Sequence, residues 1–276
     1  MNEETIHNLI TFEDTLAQYI SDENVQKCVA FSQNNIKYYN GKEKIDIEKR
    51  KENIGKIYFF MEDTLSAVEK FMPSKIAVLD FASATTPGGG VLIGSKGQEE
   101  DLCRKTTLYF NLNSDKLRKE YYQKNKTDTN LIQKADCIYI PEICILKEYK
   151  EKEQRYLSST SRKIDIVVCA APNLRKQTMN ISSDKLSQYH MERADNIFKS
   201  AIDNNVETLI LGAFGCGAFR NPPELVAEVY KIASLKYRKY FKNIVFSVRD
   251  KGELDYNKVV FQQMVLKIGG TVIDGI

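Results

Sequence analysis

The chain has no tryptophan, and its 276 residues include only two histidines, His7 and His190. Neither imidazole neighbours a Cys, Asp or Glu set at metal-ligand spacing, so no zinc site is expected and catalysis has to draw on other side chains. The six cysteines, at 28, 103, 137, 144, 169 and 216, form no CxxC pair, and several sit in apolar runs such as Val167-Val168-Cys169-Ala170. Reduced structural thiols are the expected state. No apolar stretch reaches the length that crosses a bilayer, and the N-terminal MNEETIHNLI is interrupted by acidic residues; a cytoplasmic protein without membrane association is expected. An excess of one charge is also missing. Forty basic residues against thirty-seven acidic ones leave +3, well short of a dedicated DNA binder and compatible with a small anionic ligand. The Lys-rich runs 42–56 and 147–155 also hold glutamates and read as solvated faces.

No linker rich in Pro, Ser or Gly divides the chain and no repeat is visible, which points to one compact domain: an N-terminal elaboration, 1–55, packed on a core of 56–276. In the elaboration Thr11 and Asp14 resemble a capping pair, with Phe12, Leu16, Tyr19 and Ile20 on one helical face. Ile57-Tyr58-Phe59-Phe60 is a short apolar run, and Thr64 is a candidate N-cap for a helix over 65–71. Four further runs, 76–81, 164–169, 208–211 and 244–248, are short, β-branched and apolar, as fully buried strands are. Helical patterns over 184–202 and 224–237 lie between them, the order expected of a mainly parallel sheet between helical layers. The segment 137–147, broken by Pro141, reads as either a pair of strands or a loop.

Two of these strands run directly into glycine-rich loops, Thr86-Pro87-Gly88-Gly89-Gly90 after Phe81 and Gly212-Ala213-Phe214-Gly215-Cys216-Gly217 after Leu211. Open α/β sheets bind ligands at the carboxyl ends of their strands. Without Cβ, glycine backbone brings N–H groups close to a phosphate, and a following helix adds its positive end. Known nucleotide signatures are excluded: Gly94-Ser95-Lys96 reverses the Walker order, and 212–217 spaces its glycines as GxxGxG rather than GxGxxG. No magnesium, other metal or organic cofactor is called for.

After the first loop stands Gln98-Glu99-Glu100-Asp101, with Arg104 and Lys105 close behind. Acidic residues at a helix start complement the dipole, which alone accounts for such a cluster. The alternative is catalytic. Cleavage of a glycosidic bond at ribose passes through an oxocarbenium-like state and needs an acid for the departing oxygen and a base for water. Consecutive residues project in different directions, so Glu99 and Glu100 are not expected to be the facing carboxylates of a typical glycosidase.

Phe81-Ala82-Ser83-Ala84-Thr85-Thr86-Pro87-Gly88-Gly89-Gly90 followed by Gln98-Glu99-Glu100 resembles the GGG and QEE signature of bacterial-type poly(ADP-ribose) glycohydrolases. Cys169-Ala170-Ala171-Pro172-Asn173-Leu174-Arg175 and the segment Gly212 to Pro222 also resemble parts of that family, in the same order along the chain. The resemblance implies a macrodomain-like three-layer α/β/α sandwich with a mixed, mainly parallel sheet and an N-terminal helical accessory segment. It further implies that Glu100 is the catalytic acid/base, that Glu99 positions the ribose and that Gln98 fixes that geometry. Ala82, Ser83, Gly88, Gly89 and Gly90 would surround the terminal ribose; Gly212, Ala213, Gly215, Cys216, Gly217 and Ala218 would cradle the diphosphate; Phe219 would order the terminal ribose. Where the family often has Asn before the FASA segment, this chain has Asp80.

The expected reaction is hydrolysis of ribose–ribose O-glycosidic bonds in poly(ADP-ribose), by a monomer acting on polymer or protein-attached ADP-ribose without intrinsic DNA binding. The alternatives are a hydrolase of mono-ADP-ribose on protein, nucleic acid or metabolite, and a module that binds ADP-ribose without cleaving it.

Overall fold

A computed structural model describes residues 2–43, 45, 54–147, 162–176, 181–249 and 255–273. Most of the two Lys-rich runs therefore lies outside the described residues. Eight strands are formed: β1 (Lys37–Tyr39), β2 (Lys56–Phe60), β3 (Ile76–Phe81), β4 (Cys137–Cys144), β5 (Lys163–Cys169), β6 (Thr208–Leu211), β7 (Asn243–Ser247) and β8 (Thr271–Ile273). They make one mixed sheet in the order β1-β4-β5-β3-β6-β7-β2-β8 with helices on both sides, the expected α/β class. The described pairs β3·β6, β6·β7, β7·β2 and β2·β8 are all parallel. Their apolar runs follow from burial on both faces: every residue of β6 and all but the last of β3 are buried.

The chain forms two compact units. One comprises Met1–Lys37, Asp80–Leu131 and Ile138–Val168. In it the helix Glu3–Ser21 packs on the helix Gln98–Lys105 and the short turn Val91–Ile93, and the helix Glu23–Asn34 packs on Leu108–Leu112. The other unit comprises Tyr38–Leu79, Ile132–Cys137 and Cys169–Ile276. There the helix Ser183–Asp203 packs on Pro223–Tyr237, which in turn packs on Tyr256–Lys267. An aromatic ladder, Phe214–Tyr230–Phe246–Phe261, runs through this second core with ring centroids 6.0–6.3 Å apart.

Several expectations are corrected. The first helix begins after Asn2, whose side chain caps Thr5 N at 2.9 Å; Thr11 is mid-helix, its hydroxyl donating to His7 O at 2.9 Å. A Thr that bonds the preceding turn looks like a cap in sequence alone. The buried face is Asn8, Thr11, Phe12 and Thr15, and Ile20 is exposed. The third helix is capped by Asp63, which accepts from Ser66 N, and Thr64 is its first helical residue. The segment 137–144 is a single strand that continues through Pro141; Glu142 takes a left-handed φ of 56° and donates its N–H to Asp165 at 2.9 Å. Not all cysteines are reduced: Cys28 and Cys144 form a disulfide, beside Val25, Leu146 and Tyr19. The pairing joins residues 116 positions apart, which no local spacing reveals. Cys103, Cys137, Cys169 and Cys216 are not disulfide-bonded.

Candidate active site

After β3 comes the loop 82–97, which belongs to the first unit, and the helix Gln98–Lys105 follows without a side-chain cap at Gly97. Its first three side chains serve the loop instead. Gln98 Oε1 accepts from Phe81 N at 2.9 Å, Glu99 Oε2 from Ser83 N at 2.7 Å, and Glu100 Oε1 from Gly90 N at 2.8 Å. Three consecutive residues thus bond the last residue of β3 and two separate points of the loop, and the loop is wrapped on the positive end of the helix. Gly89, at φ 57°, lies against both carboxylates: a Cβ there would sit 2.6 Å from Glu100 Oε1 and 2.9 Å from Glu99 Oε2. Gly88 is also left-handed, at φ 66°, with Tyr109, Val91 and Cys103 around it. Ser83 Oγ accepts from Thr86 N at 3.1 Å, and Asn125 donates to Ala84 O at 3.0 Å, which fixes the start of the loop. Ala82 is fully buried.

The two glutamates differ in setting. Glu99 is buried, and burial together with the charges of Asp80 and Glu100 pushes its carboxyl well above the usual carboxylate range, against the lowering effect of the Ser83 and Gly88 N–H groups. Glu100 is half-buried, and its Oε2 has no hydrogen-bond partner among the described residues. One oxygen is anchored and the other is open to a substrate. Asp80 is fully buried with neither oxygen hydrogen-bonded, and burial followed by the Glu100 charge raises its carboxyl well above the ordinary value. Glu99 has backbone donors that favour its charged form and Asp80 has none, so the upward push is opposed at Glu99 and unopposed at Asp80.

The second unit carries the loop after β6. Tight turns (Phe214 N to Gly212 O, Cys216 N to Ala213 O, Arg220 N to Gly217 O) fold it, with Gly215 at φ 76°. The N–H groups of Gly215, Gly217, Ala218 and Phe219 have no acceptor among the described residues, an arrangement that suits an anion. Gly217 and Ala218 are exposed, and a Cβ at Gly217 would meet nothing within 4 Å. Phe219 is half-buried; its carbonyl accepts from Leu174 N at 3.0 Å, and the Arg175 guanidinium lies 5.7 Å from its ring centre. Gly212 is buried at the strand end, and Cys216 is a half-buried thiol pushed up to about 12 by burial, which leaves it no nucleophilic part.

The family model for the microbial-type poly(ADP-ribose) glycohydrolase (PARG) catalytic domain matches residues 11–148, half of the chain. The chain belongs to this family. Among solved structures it resembles PARG from Deinococcus radiodurans in complex with ADP-ribose, at 26% identity and a TM-score of 0.75, over 87% of this chain and 98% of that one. PARG from Thermomonospora curvata bound to the inhibitor ADP-HPD aligns at 24% identity and a TM-score of 0.73, over 86% of this chain and 88% of that one, a likeness of fold. No curated protein sequence matches.

In this microbial-type PARG, residues outside the recognised motifs complete the surroundings of QEE. Tyr122 is buried with its hydroxyl unpartnered, and the charges of Glu99 and Asp80 add to burial in raising it. It reaches the interior from a π-helical turn, Arg118–Gln123, in a charged stretch that shows no apolar period. Asn125 follows on the next turn. No sequence signal marks either residue; Asp80 is marked only by its place before the FASA segment.

Proposed function

We propose that the chain hydrolyses ribose–ribose O-glycosidic bonds in poly(ADP-ribose), with Glu100 as the acid/base. The observation that carries this reading is the Glu100 carboxyl, tied to Gly90 N by one oxygen with the other unbonded. Glu100 gives its proton to the departing ribose oxygen and then takes one from the incoming water. Glu99 and Gln98 hold the loop that carries Ala82, Ser83 and Gly88 to Gly90 around the terminal ribose. The loop of Gly212, Ala213, Gly215, Cys216, Gly217 and Ala218 takes the diphosphate, the unbonded N–H groups of Gly215, Gly217 and Ala218 donating to it, and Phe219 orders the ribose.

Release of ADP-ribose from defined polymer, mono-modified protein and modified DNA tests the proposal. Turnover of polymer above the other two substrates, lost in Glu100→Gln, supports it; equal polymer turnover by that variant sinks the assignment. An accessory segment, 1–55, packed on the catalytic core, 56–276, belongs to the same proposal, as do a monomeric state, protein-attached ADP-ribose as a substrate, and the cytoplasm as the site of action. No helix among the described residues is long and apolar enough to cross a membrane. The Cys28–Cys144 disulfide weighs against a reducing compartment. A cytoplasmic enzyme has to keep its turnover after full reduction, which an assay in dithiothreitol measures.

A further inference from the structure

His190 is one of only two histidines, and it stands in neither glycine loop nor the QEE segment. It lies on the helix Ser183–Asp203, fully buried, with its Nε2 2.9 Å from Asn221 Oδ1. Asn221, itself buried, has both of its amide hydrogens committed. Nδ2 donates to Pro172 O at 2.8 Å and to Gly215 O at 3.0 Å, while its backbone N–H also donates to Gly215 O at 3.1 Å. Two carbonyl partners fix which end of the amide is nitrogen. Oδ1 therefore faces the imidazole, and His190 Nε2 has to carry a proton. Its Nδ1 is the bare nitrogen, buried without a partner. Burial lowers this imidazole to about 4, with Arg193 one turn away acting in the same direction, so the ring is a neutral single donor at working pH.

The result is a chain of donors: helix to Asn221, Asn221 to the segment after β5 at Pro172, and Asn221 to the bend at Gly215. The carbonyl so held belongs to the residue whose positive φ turns the loop. A Cβ on Gly215 would lie 2.5 Å from Ala171 Cβ and 2.6 Å from Asn221 Nδ2, so the bend is packed on these same partners. With the Gly215 carbonyl turned inward onto Asn221, the free N–H groups of Gly215, Gly217, Ala218 and Phe219 are left for a ligand. Phe214, immediately before Gly215, packs its ring edge-on to His190 at 6.1 Å. Arg193, on the same helix, fixes the neighbouring strand end by donating to Ala170 O at 2.8 Å.

We propose that Asn221, oriented by His190, is the positioning residue of the diphosphate loop: it fixes the Gly215 bend so that the loop's N–H groups are arranged for a diphosphate before one binds. This rests on the reading that the loop takes the diphosphate of ADP-ribose. Neither residue touches the ligand in this role. Preorganised donors gain affinity because no ordering cost remains at binding.

The test uses the full chain with ADP-ribose calorimetry and polymer turnover for His190→Leu, His190→Gln, Asn221→Asp and Gly217→Val, each checked for folding by circular dichroism. Leu cannot donate to Asn221, so H190L is expected to raise the ADP-ribose Kd and the polymer KM at least ~10-fold, with kcat at saturation within about threefold. Gln retains a donor and is expected to recover most of the affinity lost in H190L. Should H190L not fold, N221D gives the same reading, since its carboxylate faces the two carbonyls that Nδ2 now bonds; a Kd weaker by ~10-fold or more supports the clamp. Wild-type affinity in whichever of these variants folds overturns it, as does H190Q binding no better than H190L, since ring volume alone would then matter. G217V separates the two levels. Loss of ADP-ribose binding in G217V beside normal binding in H190L and N221D leaves the diphosphate reading standing and removes the clamp. Normal binding in G217V removes the diphosphate reading, and the clamp with it.

Discussion

At the scale of single residues, the QEE segment separates carboxyls by the company they keep. Glu100 has one anchored and one open oxygen, and its replacement by Gln preserves size and the Gly90 contact. Glu100→Gln is therefore expected to bind ADP-ribose normally by calorimetry while turnover falls by at least ~10²-fold, the lower range for a lost acid/base. Loss of binding together with a lowered melting temperature would show instead that the glutamate only serves the helix start. Asp80 gives a second prediction, because its carboxyl is raised above the ordinary 3.8 by burial and by Glu100. Below pH 3.8 both folded and unfolded chains hold this proton; above it the unfolded chain releases it while the folded chain keeps it, so Asp80 erodes stability as pH rises. Asp80→Asn removes that term. Thermal unfolding from pH 4 to pH 8 is expected to show the variant gaining on the wild type with rising pH; a gap in the wild type's favour that is independent of pH would mean that Asp80 is ionised and bonded.

At the scale of elements, two glycines of one loop serve different purposes. Gly215 needs its left-handed φ of 76° and has no room for a Cβ, whereas Gly217 has open space. Gly215→Ala is expected to cost about 1–3 kcal/mol in urea unfolding, the range for a strained backbone position, and Gly217→Ala to fall within ~0.5 kcal/mol of wild type. Equal losses at the two sites would contradict the packing at Ala171. Phe219, being half-buried, should lose less stability on truncation to Ala than the ~3–5 kcal/mol of a core Phe, and more in turnover, up to ~10²-fold if it places the ribose. Strands β3, β5, β6 and β7 and the helices Ser183–Asp203 and Pro223–Tyr237 were legible because buried strands and amphipathic helices leave a period in the chain. The motifs of the two loops were legible because their glycines and glutamates stand together. Asn2 was not, since Thr11 carries the same cap chemistry at a mid-helix position. Neither was β4, since Pro141 argues for a break, and the bond from Glu142 N to Asp165 that accommodates it spans 23 residues. Tyr122, Asn125, and the pair His190 and Asn221 act across 23 or more residues, and nothing in their local sequence announces a partner.

At the scale of the whole molecule, the question is whether residues 1–55 are dispensable to the catalytic part. The helix Glu3–Ser21 shares one compact unit with the segment that bears Glu99 and Glu100. Asn8 donates to Gly94 O at 3.0 Å, Thr15 donates to Arg104 O on the glutamate-bearing helix, and Lys147 reaches Thr11 O. Gly94 itself, at φ 70°, would bring a Cβ within 2.7 Å of Thr5 O, so the end of the ribose loop is moulded on this helix. Phe12 is buried edge-on to Tyr109, and Cys28 is bonded to Cys144 on β4. Burial of Phe12 contributes roughly 1.5–3 kcal/mol, each buried hydrogen bond about 1, and the disulfide ~2–4. Together these are comparable with the roughly 5–15 kcal/mol that holds a whole domain folded. A fragment of residues 56–276 is therefore expected to lack a cooperative melting transition and to release no ADP-ribose from polymer, whereas Cys28→Ser in the full chain should melt lower and keep its turnover. A fragment that folds and turns over polymer at the rate of the full chain would show that the N-terminal helices are a separable attachment and that the loop around Glu100 holds its shape without Asn8 and Thr15.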